Sequence, residues 1–218
     1  MKLIAVNIDN QDSNLEQFNQ MYNETKEQDI ALLVISNKQY STLSTMFKDY
    51  ENMYILTNQG ALLAYNNKLI EKNTFSEMEV VLIVEDLLEL DDMVVCVNGV
   101  NKAYLQNKDS KYYDEFHSIY ETVEMVDNFE EIDDQVINFV GYVNDASEYL
   151  DKCSDVMFVD CKVMNHHMIH FGMEDVSVDN GIESICRKMN ISRDDVKYFE
   201  GNNALDNVMK VLKQNKVS

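Results

Sequence analysis

Apolar positions along this chain alternate between short unbroken runs and stretches in which they recur every three or four residues. The run at 2–8 (KLIAVNI) is rich in β-branched residues and predicts a buried strand. Leu15, Phe18, Met21 and Tyr22 then share one face, which predicts an amphipathic helix over 13–28 with Ser13 as its N-cap. A strand at 30–35, a helix from about 39 to 50 and a strand at 53–57 follow, and ALLAY and KLI form a hairpin across Asn66-Asn67. This βαβαβ order is the signature of a parallel sheet with right-handed crossovers.

The middle of the chain reads differently. A helix is predicted over 75–90, and MVVCV and KAYLQ are strands flanking a turn at Asn98-Gly99. Strands are predicted at 119–126 and 135–143, a short helix at 146–153, and two further strands in VMFVDC and VMNHHMIHF. Met93, Met125, Met157, Met164 and Met168 read as gap-filling core residues. After that the α/β order resumes, with a helix over 180–190, a strand through Val196, Tyr198 and Phe199, and a last helix over 203–214. The fold class predicted is α/β. A Rossmann-like core with a parallel sheet is built from 1–74 and 173–218, and an α+β segment, 75–172, is inserted into it.

Charge narrows the partners. The formal net charge is −21, so phosphate backbones and anionic lipid surfaces are repelled, and neither nucleic acid nor a membrane is expected as a partner. The longest apolar run, 80–84, is far too short to span a bilayer. The N-terminus turns polar too quickly for a signal peptide. The four cysteines form no CxxC pair and sit among apolar neighbours, which fits a reducing compartment and a cytoplasmic location. The acidic run at 85–92 reads as a solvated helix face.

In open α/β sheets, ligands sit at the carboxyl ends of the strands. The residues predicted there are Asn7, Asp9, Ser36, Asn58, Asn180, Glu200, Gly201 and Asp206. Their order along the chain resembles the haloacid dehalogenase (HAD) superfamily, Cof-type subfamily IIB, whose members carry a large α/β (C2) cap. That family ends its first strand in Asp-x-Asp-Gly-Thr, and this chain reads Asn7-Ile8-Asp9-Asn10-Gln11. The second strand ends in Thr-Gly-Arg there and in Ser36-Asn37-Lys38 here. Asn-Gly-Ala corresponds to Asn58-Gln59-Gly60-Ala61, and the Lys-Gly that opens a helix corresponds to Asn180-Gly181. The last motif, Gly-Asp followed by Asn-Asp, falls on Glu200-Gly201 and Leu205-Asp206. The match spans essentially the whole chain, with every motif altered.

The resemblance implies roles. The first aspartate of the family attacks phosphorus, and its position is Asn7, whose neutral amide is a poor nucleophile. Asp9 takes the general acid–base position, and Ser36 the position that holds the transferring phosphoryl group. Asn180 stands where a lysine balances developing charge. The carboxylates left to hold Mg2+ are Asp9, Glu200 and Asp206, against an ion that demands several hard oxygen ligands. Losing a covalent nucleophile costs on the order of 10⁶ in rate in a protease triad.

The resulting expectation is a phosphatase relative, catalytically impaired or inactive, that needs no cofactor and binds a small phosphorylated molecule or a protein partner. One alternative is a working Mg2+-dependent hydrolase of small phosphorylated metabolites. Another is an interaction protein that uses the fold as a scaffold. The sequence leaves the oligomeric state open. His166, His167 and His170 suggest a metal cluster at first sight, but three such residues with no cysteine pair are read as strand histidines of the cap. Tyr112, Tyr113 and Phe116 are read as either core or an aromatic patch.

Overall fold

The computed structural model describes residues 1–9 and 15–216. Ser13, the expected N-cap, lies outside the described residues, as do Asn10 and Gln11 of the first motif. The chain divides into two compact units. One comprises Met1–Lys38, Leu43–Glu71 and Ser177–Ser218, and the other Gln39–Thr42 and Lys72–Val176.

Along the chain, β1 (Leu3–Asn7), α1 (Leu15–Glu27), β2 (Ala31–Ser36), α2 (Tyr40–Met46) and β3 (Met53–Thr57) alternate as predicted, and all but the first turn of α2 belong to the first unit. The hairpin β4 (Leu62–Tyr65) and β5 (Lys68–Lys72) follows. Asn66 and Asn67 both adopt positive φ, 48° and 56°, as a two-residue primed turn requires. Further on the chain adds α6 (Val178–Met189), β12 (Val196–Phe199) and α7 (Ala204–Asn215). The sheet order is β12-β1-β2-β3-β4-β5, parallel from β12 to β3 and antiparallel between β3 and β4.

Leu3, Ile4, Ala5 and Val6 are all fully buried, because both faces of β1 are covered. Leu3, Ala5, Leu33, Ile35 and Leu56 pack on Ile182, Ile185 and Cys186 of α6. Alternation turns Ile4 and Val6 to the opposite face, where α1 and α7 pack.

The second unit is one six-stranded sheet of order β10-β11-β9-β6-β7-β8. Its strands are β6 (Val94–Gly99), β7 (Ala103–Gln106), β8 (Val123–Val126), β9 (Val136–Tyr142), β10 (Val159–Val163) and β11 (Met168–Met173). Only β7 and β8 pair in parallel. Its helices are α3 (Glu77–Leu88), α4 (Tyr113–His117) and α5 (Leu150–Cys153). Ser76 and Glu79 form a capping box at the start of α3. Ile83 and Leu87 of α3 and Cys153 of α5 cover one face of the sheet, and Phe116 and Tyr120 cover the other. Phe116 is therefore core, with Tyr112 packed against it.

Four expectations for this unit need correction. Asn98-Gly99 is not the hairpin turn, which lies two residues later at Val100-Asn101, with the Gly99 N–H donating to Lys102 O at 2.8 Å. Asn98 is buried inside β6, where its amide donates to Asn138 Oδ1 at 2.6 Å and Tyr120 Oη at 2.9 Å. The glycine is needed for space, since a Cβ there would lie 2.3 Å from Asp134 Oδ2. The strand expected at 119–126 shrinks to Val123–Val126, because the Ile119 and Tyr120 N–H groups close the end of α4 on Phe116 O.

The stretch VMNHHMIHF is two strand ends with a turn between them. The Met164 N–H donates to Met168 O, and Asn165 Oδ1 accepts the His167 N–H at 2.9 Å. His166 and His167 sit on that turn and His170 alone on β11. Met157 and Met164, expected in the core, are 49% and 41% exposed because both fall in turns.

His170 faces Lys162 across the β10–β11 pair, and its Nε2 is buried with no hydrogen-bond partner. Burial, reinforced by Lys162, pushes its pKa down to about 4. The unfolded imidazole protonates near pH ~6.5, so stability is lost as pH falls from there to about 4. The loss should amount to roughly 2 kcal/mol. Thermal melts across that window should fall more steeply for the wild type than for His170→Phe, and parallel curves would contradict the assignment. No described helix is long and apolar enough to cross a membrane.

Candidate functional site

The carboxyl ends of β1, β2 and β3 and the loops after them converge on Asp9. This side chain is half-buried one residue beyond Ile8. Its Oδ1 accepts from Ser36 Oγ at 2.5 Å and from the Asn37 N–H at 2.9 Å, and its Oδ2 accepts from Asn37 Nδ2 at 3.0 Å. Asn37 Oδ1 in turn accepts from Gln59 Nε2 at 2.7 Å. A single carboxylate thus laces three loops together. Ser36 is 2% exposed, and its Oγ also accepts the Lys38 N–H at 3.1 Å. Thr57 Oγ1 donates to Lys38 O at 2.5 Å and accepts from Asn58 Nδ2 at 3.1 Å.

Asn58, Gln59 and Gly60 turn the chain through three consecutive positive φ values, 53°, 57° and 103°. At Gly60 a Cβ would lie 2.4 Å from Ser177 O, so only glycine fits. Ser177 is the N-cap of α6, and its Oγ accepts the Asn180 N–H at 3.2 Å. Gly181 makes a second close approach, a Cβ there meeting Leu56 Cδ2 at 2.6 Å. Asn180 therefore lies in the first turn of α6 on the solvent side, brought near the end of β3 by two glycine contacts.

Asn7 ends β1. Its Oδ1 accepts the Asp9 N–H at 2.9 Å. On the neighbouring β12, Tyr198 is the register partner of Ala5. The Tyr198 hydroxyl donates to Glu200 Oε2 at 2.7 Å. Partial burial and the adjacent Glu200 carboxylate push the Tyr198 phenol up to about 12, so it stays a donor at neutral pH. Gly201 follows at φ 83°.

Asp206 points elsewhere. In the first turn of α7 its Oδ1 accepts from Gln17 Nε2 of α1 at 2.5 Å. Asp9, Ser36 and Asn7 are thus brought together, Glu200 is paired with Tyr198 on the adjacent strand, and Asp206 belongs to the α1–α7 contact.

These residues do not fit a magnesium site. Both oxygens of Asp9 are taken by internal donors, Glu200 is held by a phenol, and Asp206 is paired with α1. Among the described residues no three His, Cys, Asp or Glu side chains form a group able to hold a metal ion. The histidines follow suit. His166 Nδ1 lies 3.7 Å from Asp145, and His167 Nδ1 lies 3.2 Å from Val143 O with its ring stacked on Tyr142.

Asn37, Gln59 and Tyr198 escaped the sequence reading. Asn37 and Gln59 each adjoin a residue that was singled out. Tyr198 carried no signal beyond its place on β12, because its role depends on the parallel register with β1.

A largely parallel α/β sheet with its polar constellation at the strand ends, interrupted after the β4–β5 hairpin by a separate α+β unit, defines a phosphatase-type hydrolase fold. The chain belongs to the haloacid dehalogenase-like hydrolases, whose family profile matches residues 7–210. Over 150 residues it is 28% identical to the 5-amino-6-(5-phospho-D-ribitylamino)uracil phosphatase YbjI of Escherichia coli K12. That match covers 64% of this chain and 54% of YbjI, so it spans about half of the relative's length. Among solved structures, SMU.1108c from Streptococcus mutans UA159 superposes with a TM-score of 0.81 at 17% identity, over 96% of this chain and 84% of that one. The HAD subclass IIB sugar phosphatase BT4131 gives 0.73 at 12% identity, over 93% and 82%. At these identities the likeness is one of fold.

Proposed function

We propose that this protein is a phosphatase-family member that has lost turnover by the aspartyl-phosphate route and retains its core unit as a binding module for a small phosphorylated molecule. The observation that carries this reading is Asn7. An amide stands at the nucleophile position, its oxygen committed to the Asp9 N–H. An amide oxygen carries no charge with which to attack phosphorus. Asn180 supplies no ammonium to balance the charge that develops on the phosphoryl oxygens. Asp9, at the acid–base position, is engaged by Ser36 and Asn37.

The phosphorylated ligand class is suggested by YbjI, named for a phosphorylated ribityl compound. That same relative, a phosphatase by name, favours a second reading in which this chain is a working hydrolase with a reassigned nucleophile.

Incubation with p-nitrophenyl phosphate and Mg2+ separates the two. Release of nitrophenol at the uncatalysed rate is expected, with no phosphoryl adduct on the intact protein by mass spectrometry. A covalent adduct that forms and decays through repeated turnovers would overturn the proposal.

A further inference from the structure

The strand β10 closes one side of the second unit's sheet, with β11 as its only neighbour in the strand order. We propose that its open edge pairs antiparallel with the same edge of a second copy of this chain, about a two-fold axis through Cys161.

The register decides which backbone groups face outward. Along an antiparallel ladder, successive residues turn their N–H and C=O groups to alternate sides. The Met164 N–H donates to Met168 O at 2.8 Å, and on the far side of β11 the Val143 N–H donates to His167 O at 2.9 Å. Carried through the register from Val159↔Met173 to Val163↔Ile169, this alternation turns the backbone of Asp160 and Lys162 toward β11. The backbone groups of Val159, Cys161 and Val163 are left on the open side. In the proposed pairing Cys161 exchanges bonds with Cys161 of the second copy, and Val159 with Val163.

The side chains of VDCKV match under the same symmetry. Asp160 falls opposite Lys162 of the second copy, and Lys162 opposite Asp160. These are non-hydrogen-bonded positions, where facing Cα atoms approach to about 4.5 Å and opposite charges stabilise the pair. Both side chains are exposed, and among the described residues neither forms an ion pair within its own chain. Phe158 and Met164, both exposed, flank the strand at equal sequence distances from Cys161, so each apolar side chain meets the other across the axis. A lone lysine protects a sheet edge against pairing. Here an aspartate at the mirror position lifts that protection for a copy of the same strand.

The other sheet edges lack this symmetry. Self-pairing of β5 about Ile70 would set Lys68 against Lys72. On β8, Glu124 is already paired with Lys102. Self-pairing of β12 would set Lys197 against Tyr198.

The test is sedimentation equilibrium of the full chain over a concentration series, at about 0.15 M salt, where charges beyond ~8 Å are screened. Wild type is expected to approach the mass of two chains, and a monomer at every concentration would overturn the proposal. Lys162→Asp and Asp160→Lys should each weaken the dimer about tenfold or more, since two attractive pairs become repulsive. Asp160→Lys is the sharper of the two. It reduces the net charge of −21, which by itself favours association, and is nevertheless expected to dissociate the dimer. The double variant Asp160→Lys/Lys162→Asp restores both pairs and should recover wild-type association. A dimer indifferent to the single changes, or a double variant no tighter than either single one, would place the contact elsewhere and refute the pairing. Should a variant fail to fold, hydrogen exchange on wild type makes the decision. The amides of Cys161 and Val163 should gain protection as the protein is concentrated, and unchanged exchange there would overturn the proposal.

Discussion

Asp9→Ala is expected to lower the free energy of unfolding by about 3 kcal/mol, measured by urea titration of the intact chain. Hydrogen bonds to a charged group contribute about 1.5–3 kcal/mol each, and Asp9 accepts from Ser36, the Asn37 N–H and the Asn37 amide. Ser36 is buried, so its hydroxyl loses a partner that water does not readily replace, whereas Asn37 is exposed and recovers part of its loss. The contributions are therefore not summed in full. Asp9→Asn should cost less, because an amide oxygen still accepts from one donor. A change below about 0.5 kcal/mol, the range of ordinary surface substitutions, would mean that the three loops hold together without this carboxylate. Loss of any activity in an Asp9 variant has to be read beside its folding, since the residue is a structural tie as well as the residue proposed for the acid–base position.

Asn7→Asp places a carboxylate at the position proposed for the nucleophile and is nevertheless expected to leave phosphomonoester hydrolysis at least ~10²–10³-fold below that of an intact site. That factor is the usual cost of one missing charge-stabilising group, and the neutral Asn180 is such a loss. The new carboxylate would also lie beside the Asp9 carboxylate, since position 7 accepts the Asp9 N–H. Steady-state release of phosphate by wild type and variant at saturating substrate checks this. A gain approaching the ~10⁶ that a nucleophile can be worth would show that everything else needed for turnover is in place.

Much of the architecture could be read from the sequence because each element of the first unit carries a local signature. The all-apolar β1, the asparagine pair at 66–67 and the helical spacing of Ile182, Ile185 and Cys186 depend on nothing remote. The second unit was harder where local and tertiary demands conflict. Asn98-Gly99 has the chemistry of a turn, yet it serves as a buried amide and a point of close approach to Asp134. The histidine-bearing stretch was split by a turn held by Asn165, which periodicity does not reveal.

Within the site, Asn7, Asp9 and Ser36 were found because they end or follow consecutive parallel strands. Glu200 was found by motif order, but its partner Tyr198 was not, since that pairing follows from the register of β12 on β1. Asp206 kept the right place in the order of motifs, yet its side chain is paired with Gln17 of α1.

Glu71 accepts from Ser184 Oγ at 2.7 Å and pairs with Lys188 Nζ at 2.9 Å, and it is the last residue of the first unit before the chain departs for Lys72–Val176. The outgoing strand is thereby fastened to the helix on which the chain returns. The excursion is a closed loop clamped at its root. Closing so long a loop carries an entropic cost that rises only by about 0.6 kcal/mol for each doubling of its length. The root therefore tolerates large changes in what hangs from it, and the excursion is free to lengthen, shorten or diverge in sequence over evolutionary time while the sheet beneath it keeps its register.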